Sequence, residues 1–281
     1  MILYKYFPPA RIDSFQDCLI RFTQYGDFND PFELNPHITK LAEKKEIRAI
    51  VEKDFVKIIE EEYFKNPKIS AFISKEDFIS LSITHEESVK NAVVGMEAHV
   101  VKLLPSMLQK TANSFIGALS LSEICDHELM WSHYAEEHKG VVVGFDSSHP
   151  FFNRQKSVDD ELRHPRKIEY RDRPPVINLM KTTGVELFFV KSSRWEYEAE
   201  WRMLLPLSEA TKIIKKDPYA IHLFKFPAQS VKKIILGART TDRNKSIVHK
   251  ILAEYEYSHI ELYQAQLERS SYGILINKEN G

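Results

Sequence analysis

An α+β fold, built on a mixed, largely antiparallel split sheet with a helical insertion, is what this 281-residue sequence predicts. Three observations carry that expectation. Apolar runs of strand length, such as G-V-V-V-G-F-D, lie on both sides of a long stretch at about residues 40–112 whose apolar positions recur at helical spacing. Strands and helices do not alternate as β-α-β units, which argues against a parallel, doubly wound sheet. Neither G-x-G-x-x-G nor a Walker A sequence occurs, which speaks against Rossmann and P-loop nucleotide sites. The expectation is one domain over residues 1–281, with no internal repeat and no low-complexity tract.

Met1 to Phe7 reads as a first strand, stopped by Pro8-Pro9, which fix φ and lack the amide donors that pairing needs. Leu19 to Thr23 reads as a second strand, running into Y-G-D-F-N-D-P-F-E, where Gly26 and Asn29-Asp30-Pro31 supply turn chemistry. From about Lys40 to Tyr63, the positions Ile47, Val51, Phe55, Ile58 and Ile59 predict a helix. A second, from about Glu76 to Gln109, carries Val89, Val93, Met96, Val100, Leu104 and Met107 on one stripe, with a break around Ser80 to Thr84.

S-F-I-G-A-L-S-L-S predicts a buried strand that ends in hydroxyls. Asp126 and Gly140 read as the N-cap and the stop of a short helix whose Trp131 and Tyr134 pack inward. G-V-V-V-G-F-D is a buried strand, R-K-I-E-Y-R-D a more exposed one, and Val176 to Ser193 reads as a helix. Strands are expected at about Glu198 to Leu207, Tyr219 to Phe226 and Val231 to Leu236. A helix from Thr241 to Tyr255 and a last strand from Ile260 to Leu267 complete the chain.

W-E-Y-E-A-E-W-R, Trp195 to Arg202, alternates charged and apolar residues. Read as a strand, it sends Glu196, Glu198 and Glu200 to one face and buries Trp195, Tyr197 and Trp201 on the other. That face is either a solvated sheet edge or a carboxylate row lining a cleft.

The formal net charge of −1 provides no global field to recruit nucleic acid or an anionic membrane. Cys18 and Cys125 are the two cysteines, neither with a C-x-x-C partner, which points to a reducing compartment. With no signal-peptide h-region and no apolar run near ~18 residues, a cytoplasmic location off the membrane is expected.

Three segments have the residue types for chemistry: L-Y-K-Y (Leu3 to Tyr6), S-L-S (Ser120 to Ser122) and E-A-E (Glu198 to Glu200). An apolar strand that ends in polar groups delivers them to a sheet edge or a cleft mouth. Alternate strand positions lie about 6.8 Å apart with side chains on one face, so two carboxylates can serve one substrate without colliding. His133 and Glu137, one helical turn apart with His138 following, offer metal-ligand types but no H-E-x-x-H and no third partner at diagnostic spacing, so no metal is expected. Asn29, Asp30 and Glu33 either line a site or shape a turn. Lys139 and Lys191 either contact phosphate or sit solvated on the surface.

The order of cation strand, S-x-S strand and E-x-E resembles the arginine–serine–glutamate signature of mono-ADP-ribosyltransferases. The resemblance implies NAD as substrate, with Lys5 binding the dinucleotide phosphates, helped by Tyr4, Ser122 and Tyr134. It implies that Ser120 orients the catalytic Glu200, while Glu198 aligns the incoming nucleophile. The departure from the family is Lys5 in place of arginine, a point charge that cannot fork bidentately.

F-N-D-P-F-E (Phe28 to Glu33), M-W-S-H-Y-A followed by H-K-G-V-V-V-G-F-D (Met130 to Asp146), the Trp195 to Arg202 stretch and K-K-I-I-L-G (Lys232 to Gly237) resemble a widespread bacterial family of unknown function. That family is sometimes associated with phage-resistance loci, so a phage-defence effector acting on a nucleotide and an unknown acceptor is the leading expectation. A non-enzymatic binding or sensor module and a metal-dependent nuclease or phosphotransferase are the alternatives.

Overall fold

The computed structural model of the chain describes residues 1–178 and 184–279. In chain order the elements are β1 (Ile2–Phe7), β2 (Leu19–Phe22), β3 (His37–Lys40), α1 (Lys44–Lys65), α2 (Pro67–Ser70), α3 (Lys75–Thr84) and α4 (Glu86–Phe115). There follow β4 (Ile116–Ser122), α5 (Glu128–Tyr134), β5 (Val141–Asp146), β6 (Arg166–Lys167), β7 (Glu169–Arg171), β8 (Val176–Asn178), β9 (Val190–Ser192) and β10 (Glu200–Pro206). The last are β11 (Lys212–Ile214), β12 (Ile221–Lys225), β13 (Val231–Leu236), α6 (Asp242–Leu252), β14 (Glu261–Leu267) and β15 (Ile274–Lys278). This is an α+β fold whose large sheet is mixed and mostly antiparallel.

The chain forms two compact units. The first comprises residues 1–34, 109–174 and 187–281, and the second residues 35–108 and 175–186. In the first unit, eight strands run in the order β15-β14-β13-β5-β1-β4-β10-β6. Every pair is antiparallel except β13 with β14.

Alternation along the strands divides the core between the two faces of this sheet. Leu3, Phe7, Val141, Val143, Phe145, Leu119 and Met203 belong to one cluster, whereas Tyr6, Val142, Ile235 and Trp131 belong to another. From Val141 to Phe145 β5 is apolar because it is covered on both faces, which is why its sequence is a continuous run up to Asp146. A smaller antiparallel sheet, β11-β12-β2, adds Phe22 and Phe224 to the first cluster, their rings 4.5 Å apart.

The large sheet splits between β1 and β4. Their only register pair is Tyr4 with Ser122, while β4 bridges instead from Ala118 to Thr23, just beyond β2. In the second unit, β3 and β8 pair in parallel, and Val51, Phe55 and Ile59 of α1 form a small core with Phe78 and Val89 packed on it. α4 belongs to this unit as far as Leu108 and to the first unit from Gln109.

Four local expectations need correction. Trp195 to Arg202 is not one strand: Ser193–Glu198 is a 3-10 turn, Ala199 is left-handed at φ 41°, and β10 starts at Glu200. Ser192 starts the turn, its Oγ accepting from the Arg194 amide at 3.5 Å. Burial is reversed as well. Glu198 and Glu200 are buried, Glu196 is exposed, and Trp195, Tyr197 and Trp201 are only half-buried, because the polar face is the one turned inward.

Val176 to Ser193 is not a helix in its described part. β-branched Val176 and Ile177 pair with β3, Gly184 sits at φ 80°, and Val190–Ser192 forms β9 beside β7. Residues 179–183 of that expected helix lie outside the described residues. The N-cap of α5 is His127, whose Nδ1 accepts from the Leu129 amide at 3.3 Å, rather than Asp126. α5 ends before Ala135, ahead of three consecutive left-handed residues, Glu136 to His138, so Gly140 is not its cap. Finally, the strand expected as the last is followed by β15, which pairs with β14.

Gly140 has another reason to be glycine. A Cβ there would lie 1.9 Å from the Phe7 carbonyl oxygen and 3.1 Å from that of Ala135. Both are backbone atoms that cannot move alone. Gly140→Ala should therefore destabilise the protein by about 3 kcal/mol, the scale of an overpacked core position. Urea melts measure it, and a loss below about 0.5 kcal/mol, the range of neutral surface changes, would contradict the close-packing role.

Candidate functional site

Where β1 and β4 part, a cleft of about 240 Å³ opens, lined by residues of β1, β4, β10, α5 and the segment after β2. The register of β4 on β10 builds its wall. Ser122 faces Glu200 and Ser120 faces Arg202, and directly paired residues project from the same side of a sheet. The chain therefore puts two hydroxyls, a carboxylate and a guanidinium on one patch. All seven residues given a catalytic or NAD-binding role in the sequence line this cleft, namely Tyr4, Lys5, Ser120, Ser122, Tyr134, Glu198 and Glu200, whereas the other candidates His133, Glu137, His138 and Lys139 are not in its lining.

Lys5 reaches across the split and donates from Nζ to the Ser120 carbonyl at 2.9 Å. Burial pushes its amine down to about 8, against the opposing pull of Glu200 and Glu198. Ser122 has its hydroxyl committed: it donates to the Glu198 carbonyl at 2.6 Å and accepts from the Ile124 amide at 3.0 Å. It thereby pins the left-handed turn at Ala199 that brings Glu198 and Glu200 together. Tyr4 lies beside the Cys125 thiol, and burial raises its phenol well above the usual range.

At the base of the cleft is a buried charge cluster of three carboxylates and two cations. Lys191 Nζ lies 2.6 Å from Glu198, 3.1 Å from Glu200 and 3.1 Å from Glu33. Arg202 lies 2.7 Å from Glu33 and 2.8 Å from Glu200, and donates from Nη1 to the Phe188 carbonyl at 2.8 Å. The expectation of a solvated Lys191 is thus corrected. This ammonium is buried because three carboxylates surround it, and they hold it well above the ordinary lysine range despite the burial that opposes charge.

The two glutamates of E-A-E differ in environment. Burial pushes the Glu200 carboxyl up, but Arg202 and Lys191, with a Ser120 hydrogen bond, overcome this and bring it down to about 2. Glu198 is raised, mainly by burial and further by Glu200, with Lys191 pulling the other way. Tyr134 donates its hydroxyl to Glu198 at 2.5 Å, with Asn29 beside it. The Tyr170 hydroxyl accepts from the Glu200 amide at 2.8 Å. One carboxyl is thus held as an anion, and its neighbour is held above the usual carboxylate range. Two carboxyls whose environments differ in this way can divide acid and base roles between them.

Asn29, Asp30 and Glu33, left open between lining and turn-making, all line the cleft, and Asp30 also makes a turn by accepting from the Phe32 amide at 2.9 Å. From the sequence, Lys191 reads only as a phosphate contact or a surface residue, and Arg202 has no role in the site. For Arg202 a signal existed, since it continues the alternation from Glu200 into an apolar strand. Lys139 pairs instead with Glu137 at 2.9 Å and is exposed enough to be solvated. Among the described residues no group of three or more His, Cys, Asp or Glu side chains is placed to hold a metal ion, and no helix is long and apolar enough to cross a membrane.

The cluster makes a pH-dependent prediction. Glu200 titrates near 2 in the folded protein and near 4.5 when free, so its ion pairs add stability that is complete above about pH 4.5 and is lost as pH falls toward 2. Lys191→Met strips the cluster of one of its two cations. The expected loss is about 3–5 kcal/mol at pH 7, shrinking as the pH is lowered through that window. Urea melts at a series of pH values measure it, and a difference independent of pH would contradict the charge account.

Among known proteins, the model of a family described as "Protein of unknown function (DUF2971)" matches residues 130–203. No curated protein and no solved structure matches the chain. The matched span contains M-W-S-H-Y-A and W-E-Y-E-A-E-W-R, and with them Tyr134, Lys191, Glu198, Glu200 and Arg202 of the cleft, so the resemblance to a family of unknown function holds over this part of the site.

Proposed function

We propose that the cleft cleaves the nicotinamide–ribose bond of NAD, as an ADP-ribosyltransferase or an NAD glycohydrolase. The observation that carries this reading is the convergence of the cation strand, the S-x-S strand and E-x-E on one cleft at the split of the sheet. At 240 Å³ the cleft is smaller than the roughly 300–1,000 Å³ that holds a whole drug-sized ligand, so it suits one end of a dinucleotide.

Breaking the bond builds positive charge on the ribose, as glycoside hydrolysis does. Ionised Glu200 is suited to face that charge. A bare carboxylate ~4 Å away, at an effective dielectric near 20, contributes at most about 4 kcal/mol. Lys191 and Arg202 reduce this, so about 100- to 1,000-fold in rate is the appropriate scale. Glu198, with its raised carboxyl and its Tyr134 partner, is suited to take the proton of the incoming acceptor or water. Lys5 offers a point charge to phosphate. The nuclease alternative needs carboxylates open to a metal, and here all three are held in ion pairs. A role in phage defence stays with the proposal, as the setting in which depletion or transfer of ADP-ribose would act.

The binding-module alternative is favoured by one observation, that same pairing, which leaves no carboxylate of the cluster bare. Variants separate the two. Glu200→Gln should lower nicotinamide release by about 100- to 1,000-fold while NAD affinity changes little, because the interaction strengthens only as charge develops. Glu198→Gln should impair transfer more than hydrolysis, and Lys5→Ala should weaken binding more than turnover. Calorimetry and single-turnover chromatography read these quantities. Binding by the wild type with no release would favour the module reading.

A further inference from the structure

We propose that Asp30 sets the substrate specificity of the cleft by accepting a hydrogen bond from the carboxamide N–H of the leaving pyridine ring, an inference that rests on the reading above. Asp30 is 4% exposed and lines the cleft. Its Oδ1 accepts from the Phe32 amide at 2.9 Å, whereas its buried Oδ2 meets no donor among the described residues. A buried carboxylate oxygen without a donor is costly, and binding a ligand that brings one recovers that cost.

The segment is anchored on both sides of Asp30. Asn29 lies beside Tyr134, which donates to Glu198, and Glu33 is ion-paired with both Lys191 and Arg202. Asp30 is therefore held in fixed relation to the two glutamates that would face the ribose. Phe28, half-buried, adds an aromatic ring to the same lining, with the Arg202 guanidinium 5.1 Å from its centroid. A flat apolar face next to a charged acceptor suits a planar ring that carries an N–H donor. It disfavours the same ring carrying a carboxylate, since two like charges would meet out of water.

The test compares NAD with its nicotinic-acid analogue, which differs only in having a carboxylate for the carboxamide. Wild type should favour NAD in kcat/KM by at least about a hundredfold, as sites built to bond a substrate N–H do. Asp30→Asn, which keeps shape and offers an amide donor, should bring the two substrates within about tenfold of each other. On the wild type alone, nicotinamide should inhibit at concentrations at least about tenfold below those of nicotinate, which decides the matter should the variant fail to fold. Equal cleavage of both substrates by wild type, or an unchanged ratio in Asp30→Asn, would overturn the Asp30 inference and leave the cleavage reading standing. Release of neither base by the wild type would overturn both.

Discussion

The cleft depends on the pairing of Lys191 and Arg202 with Glu33, Glu198 and Glu200. Five charges in one buried cluster would each be costly alone, and only mutual pairing makes their burial tolerable. Three chain segments meet in it: the segment after β2 through Glu33, β9 through Lys191, and the Ser193–Glu198 turn with the start of β10 through Glu198, Glu200 and Arg202. Three carboxylates against two cations leave one member in excess. Burial raises the carboxyls of both Glu33 and Glu198, and Glu198 also shares a hydrogen bond with Tyr134, while Glu200 stays ionised. The structural requirement and the proposed chemistry thus draw on the same imbalance.

The split between β1 and β4 gives the cluster access to a ligand. Were the two strands paired along their length, the space between them would be closed by backbone hydrogen bonds. Instead they share one register pair, and Lys5 bonds the Ser120 carbonyl across the gap. Lys5 therefore has a structural partner as well as a place in the cleft lining, and a ligand phosphate would compete with that carbonyl for its ammonium.

Much of the frame was legible in the sequence, and the reasons are specific. The run Val141 to Phe145 reads as a central strand because burial on both faces removes any need for alternation. Thr241 reads as a helix start, and its Oγ does accept from the Asn244 amide, at 3.3 Å. The E-A-E pair reads as a shared polar feature, but its geometry was not legible. A left-handed alanine has no sequence signal, and a 3-10 turn followed by a strand can imitate strict alternation over eight residues. Lys191 was hidden for a different reason. Its carboxylate partners Glu198 and Glu200 follow within the next nine residues but across a turn, and the third, Glu33, comes from over a hundred residues away, which no local pattern records. β3, β11 and β15 are short, and β11 is exposed throughout, so periodicity had little to act on.

The central claim is that this charge cluster, at the split of the sheet, acts on NAD. The most direct measurement is incubation of the purified protein with NAD, following free nicotinamide and ADP-ribose, both free and protein-linked, by chromatography. The account predicts nicotinamide appearing in one-to-one proportion with ADP-ribose, at a rate proportional to protein. NAD recovered unchanged at high protein concentration, with no heat of binding, would contradict it.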